Sequence, residues 1–284
     1  MDDNLIVEDN ILKGYRESEI ITVAVPEGIV AICDNAFSDF PNLHSVSLPK
    51  SLVIIGDGAF KNCTSLTNID LTNVGSVGAE SFSGCTALNN VEFGKKIKYL
   101  PNALFLGCTG LTGITLPENI TYVGSECFKD CTSLTDIKVC GVMEIDNNAF
   151  ENCNSLCSIA LPYSLFHISD NAFSFCRSLI AITVNNSFAD IDETAFLYNV
   201  DLVFKATQNS TTQGYAADMK FKFQPVILTD EYRVITSEHL ETLASYGIFF
   251  HAKKMEGNTG KYIIHYDKTA EQRIISIIGG DDAI

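Results

Sequence analysis

Ten cysteines and five histidines are the side chains of this 284-residue chain with the most chemistry in them. A thiol can serve as nucleophile, zinc ligand or half of a disulfide, and an imidazole as base or metal ligand. Six of the cysteines, Cys63, Cys85, Cys108, Cys131, Cys153 and Cys176, recur every 22 or 23 residues. A zinc site needs ligands that converge on one point, whereas such a recurrence sets equivalent residues in a line, so the six read as a row of interior positions. Cys33, Cys127, Cys140 and Cys157 fall at other phases, and no C-x-x-C pair occurs. The histidines, His44, His167, His239, His251 and His265, lie in no H-E-x-x-H motif, and the chain has no G-x-S-x-G, Walker-type or G-x-G-x-x-G stretch. The sequence therefore names no catalytic residue, no metal site and no cofactor. One pair of histidines stands apart: His251 and His265 flank a segment that reads as a hairpin turning at Gly257 to Gly260, which would bring them near each other.

The element that positions the cysteine row is a repeat. Phenylalanine recurs at Phe37, Phe60, Phe82, Phe105, Phe128, Phe150, Phe173 and Phe196, and each of the six cysteines stands three places after one of them. Phe40 and Asn199 hold the cysteine position in the first and last copies. Six after the phenylalanine is always leucine, from Leu43 to Leu202, and five before it is always aliphatic, from Ile32 to Ile191. Apolar residues two apart, as in Ile69 and Leu71, have strand periodicity and predict one short strand per repeat. Gly56, Gly78 and Gly124 mark a turn before a short helix-like segment that carries the phenylalanine. A unit of 23 residues cannot bury its own apolar edge, so successive units must stack.

In LPKSLVIIGDGAFKNCTSLTNI and LPENITYVGSECFKDCTSLTDI the pattern is similar to BspA-like leucine-rich repeats. The resemblance covers roughly residues 5 to 225 and implies a right-handed leucine-rich-repeat solenoid of about eight 22–23-residue repeats, mainly β with short helical turns. The expected organisation is an N-terminal cap (1–25), the solenoid (26–205), a C-terminal cap (206–225) and a small α+β module (226–284) with two helices and a hairpin. The same resemblance implies a surface or secreted adhesin. The acidic start MDDNLIVEDN lacks the features of a signal peptide and implies instead a cytoplasmic protein, and thiols without a pairing scheme fit a reducing compartment.

Net charge is −16, and residues 1–205 carry 11 Lys+Arg against 25 Asp+Glu. Such a field disfavours nucleic acid and anionic membrane, and no apolar run is long enough to insert in a bilayer. Recognition of a protein or glycan by the long faces of the solenoid is the expected function, with an intracellular assembly scaffold as the alternative and an enzyme in residues 226–284 as a remote one. Two rows can be named. Between the buried strand positions lie Asn68 and Asp70, Asn90 and Glu92, and Asp136 and Lys138. Six before each phenylalanine runs a second row that includes Tyr99, Tyr122 and His167, flanked by Phe166, where aromatic residues outside the buried register point to an interface.

Overall fold

The computed structural model describes residues 3–17 and 19–226, and the backbone of the strands Glu231–Thr236, His251–Lys254 and Lys261–Tyr266. The repeats form a β-solenoid. Each coil lays down a longer strand, as in Asn68–Leu71, Asn90–Phe93, Gly113–Leu116, Asp136–Val139, Ser158–Leu161 and Ala181–Val184. Neighbours pair parallel and in register, for example Ile69 with Val91 and Ile114 with Ile137. Strict alternation puts Ile69 and Leu71 inside and Asn68 and Asp70 outside.

The sequence pattern predicts one strand per repeat, and the structure adds a second of two residues. The aliphatic residue five before each phenylalanine closes a short strand, such as Ile54–Ile55, Tyr99–Leu100, Tyr122–Val123 or His167–Ile168. These short strands also pair parallel, Tyr99 with Tyr122 and then Glu144, His167 and Asp190. The pattern hides this strand because a two-residue segment is too short to show alternation. The segment around the phenylalanine is a run of turns, and among the described residues the α-helix is Thr211–Asp218.

Those turns make a third ladder. The N–H groups two before, at, and two after the phenylalanine donate to the next coil, as with Asn35 to Asp57 O, Phe37 to Ala59 O and Asp39 to Lys61 O, each at 2.8 Å. Except at Thr194, the residues two before and two after each phenylalanine take left-handed backbone angles, as at Asn35 (φ 55°) and Asp39 (φ 62°). Asn, Asp and Gly fill most of these places because they tolerate that region. Buried backbone groups thus find partners on all three sides of the coil. Gly78 serves a different need: a Cβ there would lie 2.4 Å from the Asp57 backbone N, so the coils touch too closely for a side chain.

The core is a column. Consecutive phenylalanine rings from Phe37 to Phe196 stack with centroids 5.0 to 5.8 Å apart. All eight are fully buried. Tyr15 tilts against Phe37 at one end, and Phe204 meets Phe196 edge-on at the other.

Both ends are closed with regular structure. At the N-terminus Leu5–Glu8 and Ile11–Tyr15 form an antiparallel hairpin whose turn residues Asp9 and Asn10 are left-handed, and Leu12 pairs onward with Ile32. Thr22–Ala24 then pairs with Ser45–Ser47, so the first coil precedes the first phenylalanine copy. At the other end Ser210 caps the helix Thr211–Asp218, and Lys222–Pro225 pairs parallel with Val203–Ala206. Counted by longer strands, about nine turns are stacked where the phenylalanine count gives eight.

Beyond the solenoid, Lys261–Tyr266 is the middle strand of a three-stranded antiparallel sheet, with His251 directly opposite His265. The first strand of that sheet, Glu231–Thr236, is not among the elements expected from the sequence. The two expected helices and the turn at Gly257 to Gly260 lie outside the described residues.

Replacing Phe105 by alanine removes a ring stacked on both Phe82 and Phe128. A loss of about 3–5 kcal/mol is expected from the cavity, read as a lower denaturant midpoint. An unchanged midpoint contradicts the column.

Candidate functional site

The cysteine row has a definite structural task. Each Sγ–H donates to the phenylalanine carbonyl of the preceding coil: Cys63 to Phe37 O, Cys85 to Phe60 O and Cys108 to Phe82 O at 3.1 Å, continuing through Cys176 to Phe150 O. Asn199 ends the series by donating its side-chain amide to Phe173 O at 2.8 Å. Phe40 starts it without donating, because no earlier phenylalanine copy offers a carbonyl. The position thus selects a small buried donor, which explains cysteine better than size alone. Burial pushes the thiols of Cys63, Cys131 and Cys176 up to about 12 and raises those of Cys85, Cys108, Cys127 and Cys153. A thiol held that far from ionisation is neither nucleophile nor ready metal ligand at neutral pH.

All ten cysteines are free; Cys140 and Cys157 are exposed, and Cys33 is partly so. A thiol-specific reagent at neutral pH is therefore expected to label only these three quickly, and all ten after denaturation. Rapid labelling of any row cysteine in the folded protein contradicts the packing.

The residues of the first row all face outward. Asn68, Asp70, Asn90, Glu92, Asp136 and Lys138 are all exposed on the longer strands. Pairing sets Asn68 beside Asn90 and Asp70 beside Glu92. Asp136 and Lys138 pair with Gly113 and Thr115, one coil further along. At the N-terminal end of the row lies a shallow depression of about 410 Å³, lined by Thr22, Ala24, Ser45, Ser47, Val46, Asn68 and Asp70. Hydroxyl, amide and carboxylate groups converge there on a backbone locked by the ladders. Asp70 and Glu92 place like charges opposite each other, an arrangement that costs stability and favours a cationic or hydrogen-bonding partner.

The second row is less uniform than its spacing implies. Tyr99 is 53% exposed and Phe166 41%, with Val53 and Ile54 also open to solvent. Tyr122 is half-buried, and its hydroxyl donates to Asp146 Oδ2 at 2.5 Å. Burial and that bond raise the phenol, while Asp146 answers in the opposite sense. Burial alone would raise the Asp146 carboxyl, but donation from Tyr122, the Asn147 N–H and Ser125, with the charge of His167, holds it below the usual range. His167 is partly buried between Asp190 and Asp192.

The turn positions after the phenylalanines change character toward the C-terminal end. Two after the phenylalanine the chain has Asp39, Asn62, Gly84, Gly107, Asp130 and Asn152, then Phe175 and Tyr198, all left-handed. Bulky aromatics pay strain in that region, of order 1–3 kcal/mol each. Their rings stack at 4.2 Å and, with Arg177 and Val200, line a cleft of about 340 Å³. The signal was the break in a run of turn-forming residues.

The model of the BspA type Leucine rich repeat region matches six copies, over residues 13–135, 75–203 and 141–226. The chain belongs to that family. No curated protein matches it. Among solved structures, the leucine-rich repeat protein TpLRR of T. pallidum is 28% identical with a TM-score of 0.55, the match covering 60% of this chain and 82% of that one. A leucine-rich repeat protein from Eubacterium ventriosum is likewise 28% identical with a TM-score of 0.55, covering 61% of this chain and 50% of that one. Among the described residues no helix is long and apolar enough to cross a membrane.

The two tyrosines of the second row separate by stability. Tyr122→Phe is expected to cost about 1 kcal/mol by loss of the bond to Asp146, and Tyr99→Ala to leave stability within about 0.5 kcal/mol, both read from thermal melts. Equal losses at the two positions contradict the contrast.

Proposed function

We propose that this protein is a non-catalytic binding scaffold that recognises a protein or glycan through the outward row of its longer strands. The observation that supports this reading is the depression at Ser45, Ser47, Asn68 and Asp70. There, small polar groups that do nothing for the core are presented at fixed spacing by a rigid ladder. Such groups suit hydroxyl-rich or main-chain hydrogen-bonding ligands, and Asp70 with Glu92 favours a basic element in a protein partner. Family membership supports a repeat scaffold, and adhesion at a cell surface is the role the resemblance favours.

The test is a screen of the full chain on a glycan array and a protein array, followed by Asn68→Ala with Asp70→Ala. The paired change is expected to weaken a captured ligand at least tenfold without moving the melting temperature. If binding is unchanged by this pair but lost in Tyr99→Ala, recognition belongs to the short-strand row and this reading is wrong.

A further inference from the structure

We infer that His167, Asp190 and Asp192 form a binding site for a first-row divalent cation of the zinc type. His167 and Asp190 are register partners on adjacent short strands, and Asp192 follows two residues later. The imidazole lies between the two carboxylates, with Nδ1 3.4 Å from Asp190 Oδ2 and Nε2 3.7 Å from Asp192 Oδ2. One ligand atom from each residue lies within 4.8 Å of the other two. Zinc holds nitrogen and oxygen ligands at about 2.0–2.2 Å in a tetrahedron, which separates ligand atoms by roughly 3.3 Å. The two carboxylates face different ring nitrogens, so closing on one ion takes side-chain rotations that bring an oxygen of each to the same nitrogen. Those rotations are easy for Asp190, whose side chain is 81% exposed, while His167, at 26%, is the fixed member.

A second observation points to a cation. Among the described residues, neither aspartate carboxylate has a lysine or arginine partner, and the ring nitrogens of His167 are their only ionic contacts. The coil before adds Glu144, the other register partner of His167. A bound divalent ion compensates the charge of the two aspartates. A nitrogen ligand beside two carboxylates selects zinc, cobalt or nickel over calcium or magnesium, which prefer oxygen alone. Three protein ligands leave a solvent-facing position for water or a partner's oxygen. No metal-binding spacing marks this set in the sequence, because the fold assembles it across two coils.

The test is calorimetric titration of the full chain with zinc chloride under reducing conditions, in a Cys33→Ser, Cys140→Ser, Cys157→Ser background that removes the accessible thiols. Saturable binding at one site is expected, lost or weakened at least a hundredfold by either His167→Gln or Asp192→Asn. Zinc should also raise the melting temperature of the background protein and of neither variant. Cobalt bound at the same site should give visible ligand-field bands without a thiolate charge-transfer band. No saturable binding, or binding that both variants retain, overturns the proposal; the second result would place the ion elsewhere, for example at His251 and His265. Because the arrays in the preceding test are probed without added metal, the two proposals stand or fall separately.

Discussion

One constraint organises this molecule: no coil can satisfy its own apolar surface or its own backbone, so each is completed by its neighbours. The phenylalanine column from Phe37 to Phe196 fills the interior with rings about one strand spacing apart. The same translation from coil to coil aligns three hydrogen-bonded ladders, two of strands and one of turns. Ring packing and backbone pairing therefore demand one repeat distance. A coil that shifted to suit one would break the other.

The cysteines show how far this reaches into side-chain choice. A phenylalanine carbonyl inside the turn accepts from the cysteine N–H of its own coil, as Phe60 O does from Cys63 at 3.2 Å, and from the thiol of the next coil. Its second lone pair would otherwise be buried without a donor, at a cost of order 1–3 kcal/mol. Serine would also donate but would bring a stronger polar group into the column, and valine would donate nothing. Cysteine is small, largely apolar and still a donor. Reactivity is suppressed by the burial that makes the thiol useful.

Much of this could be read from the sequence because a fixed period leaves few ways to fold. Eight copies of phenylalanine, leucine and aliphatic residues identify the interior, and alternation at Ile69 and Leu71 tells which strand residues face out. What stayed hidden has physical reasons. The short strands contribute only two residues each, too few for periodicity to register. The third ladder depends on left-handed turns that Asn, Asp, Gly, Glu and Ala all occupy here, so no single residue type announces it. Tyr122 and Tyr99 share a sequence register, and only the aspartate two places beyond Glu144 ties one down and leaves the other open. His167, Asp190 and Asp192 are drawn together by inter-coil pairing that no local motif encodes.

The consequence for function is a division of labour. Interior and turn positions are committed to the ladders, and the exposed side chains of the two strand rows, such as Asn68, Asp70 and Tyr99, take no part in them. Whether the turns are truly part of that frame is the sharpest question, because ordinary surface turns exchange their amide hydrogens quickly. Hydrogen–deuterium exchange of the folded chain reads this directly. The amides of Phe60, Phe82, Phe105 and Phe128, each bonded to the next coil at 2.8 to 3.0 Å, are expected to be protected as strongly as those of Ile114 and Ile137 in the longer strands. Fast exchange at these phenylalanines alongside slow exchange in the strands would show that the coils are held by their strands alone, and would contradict the account.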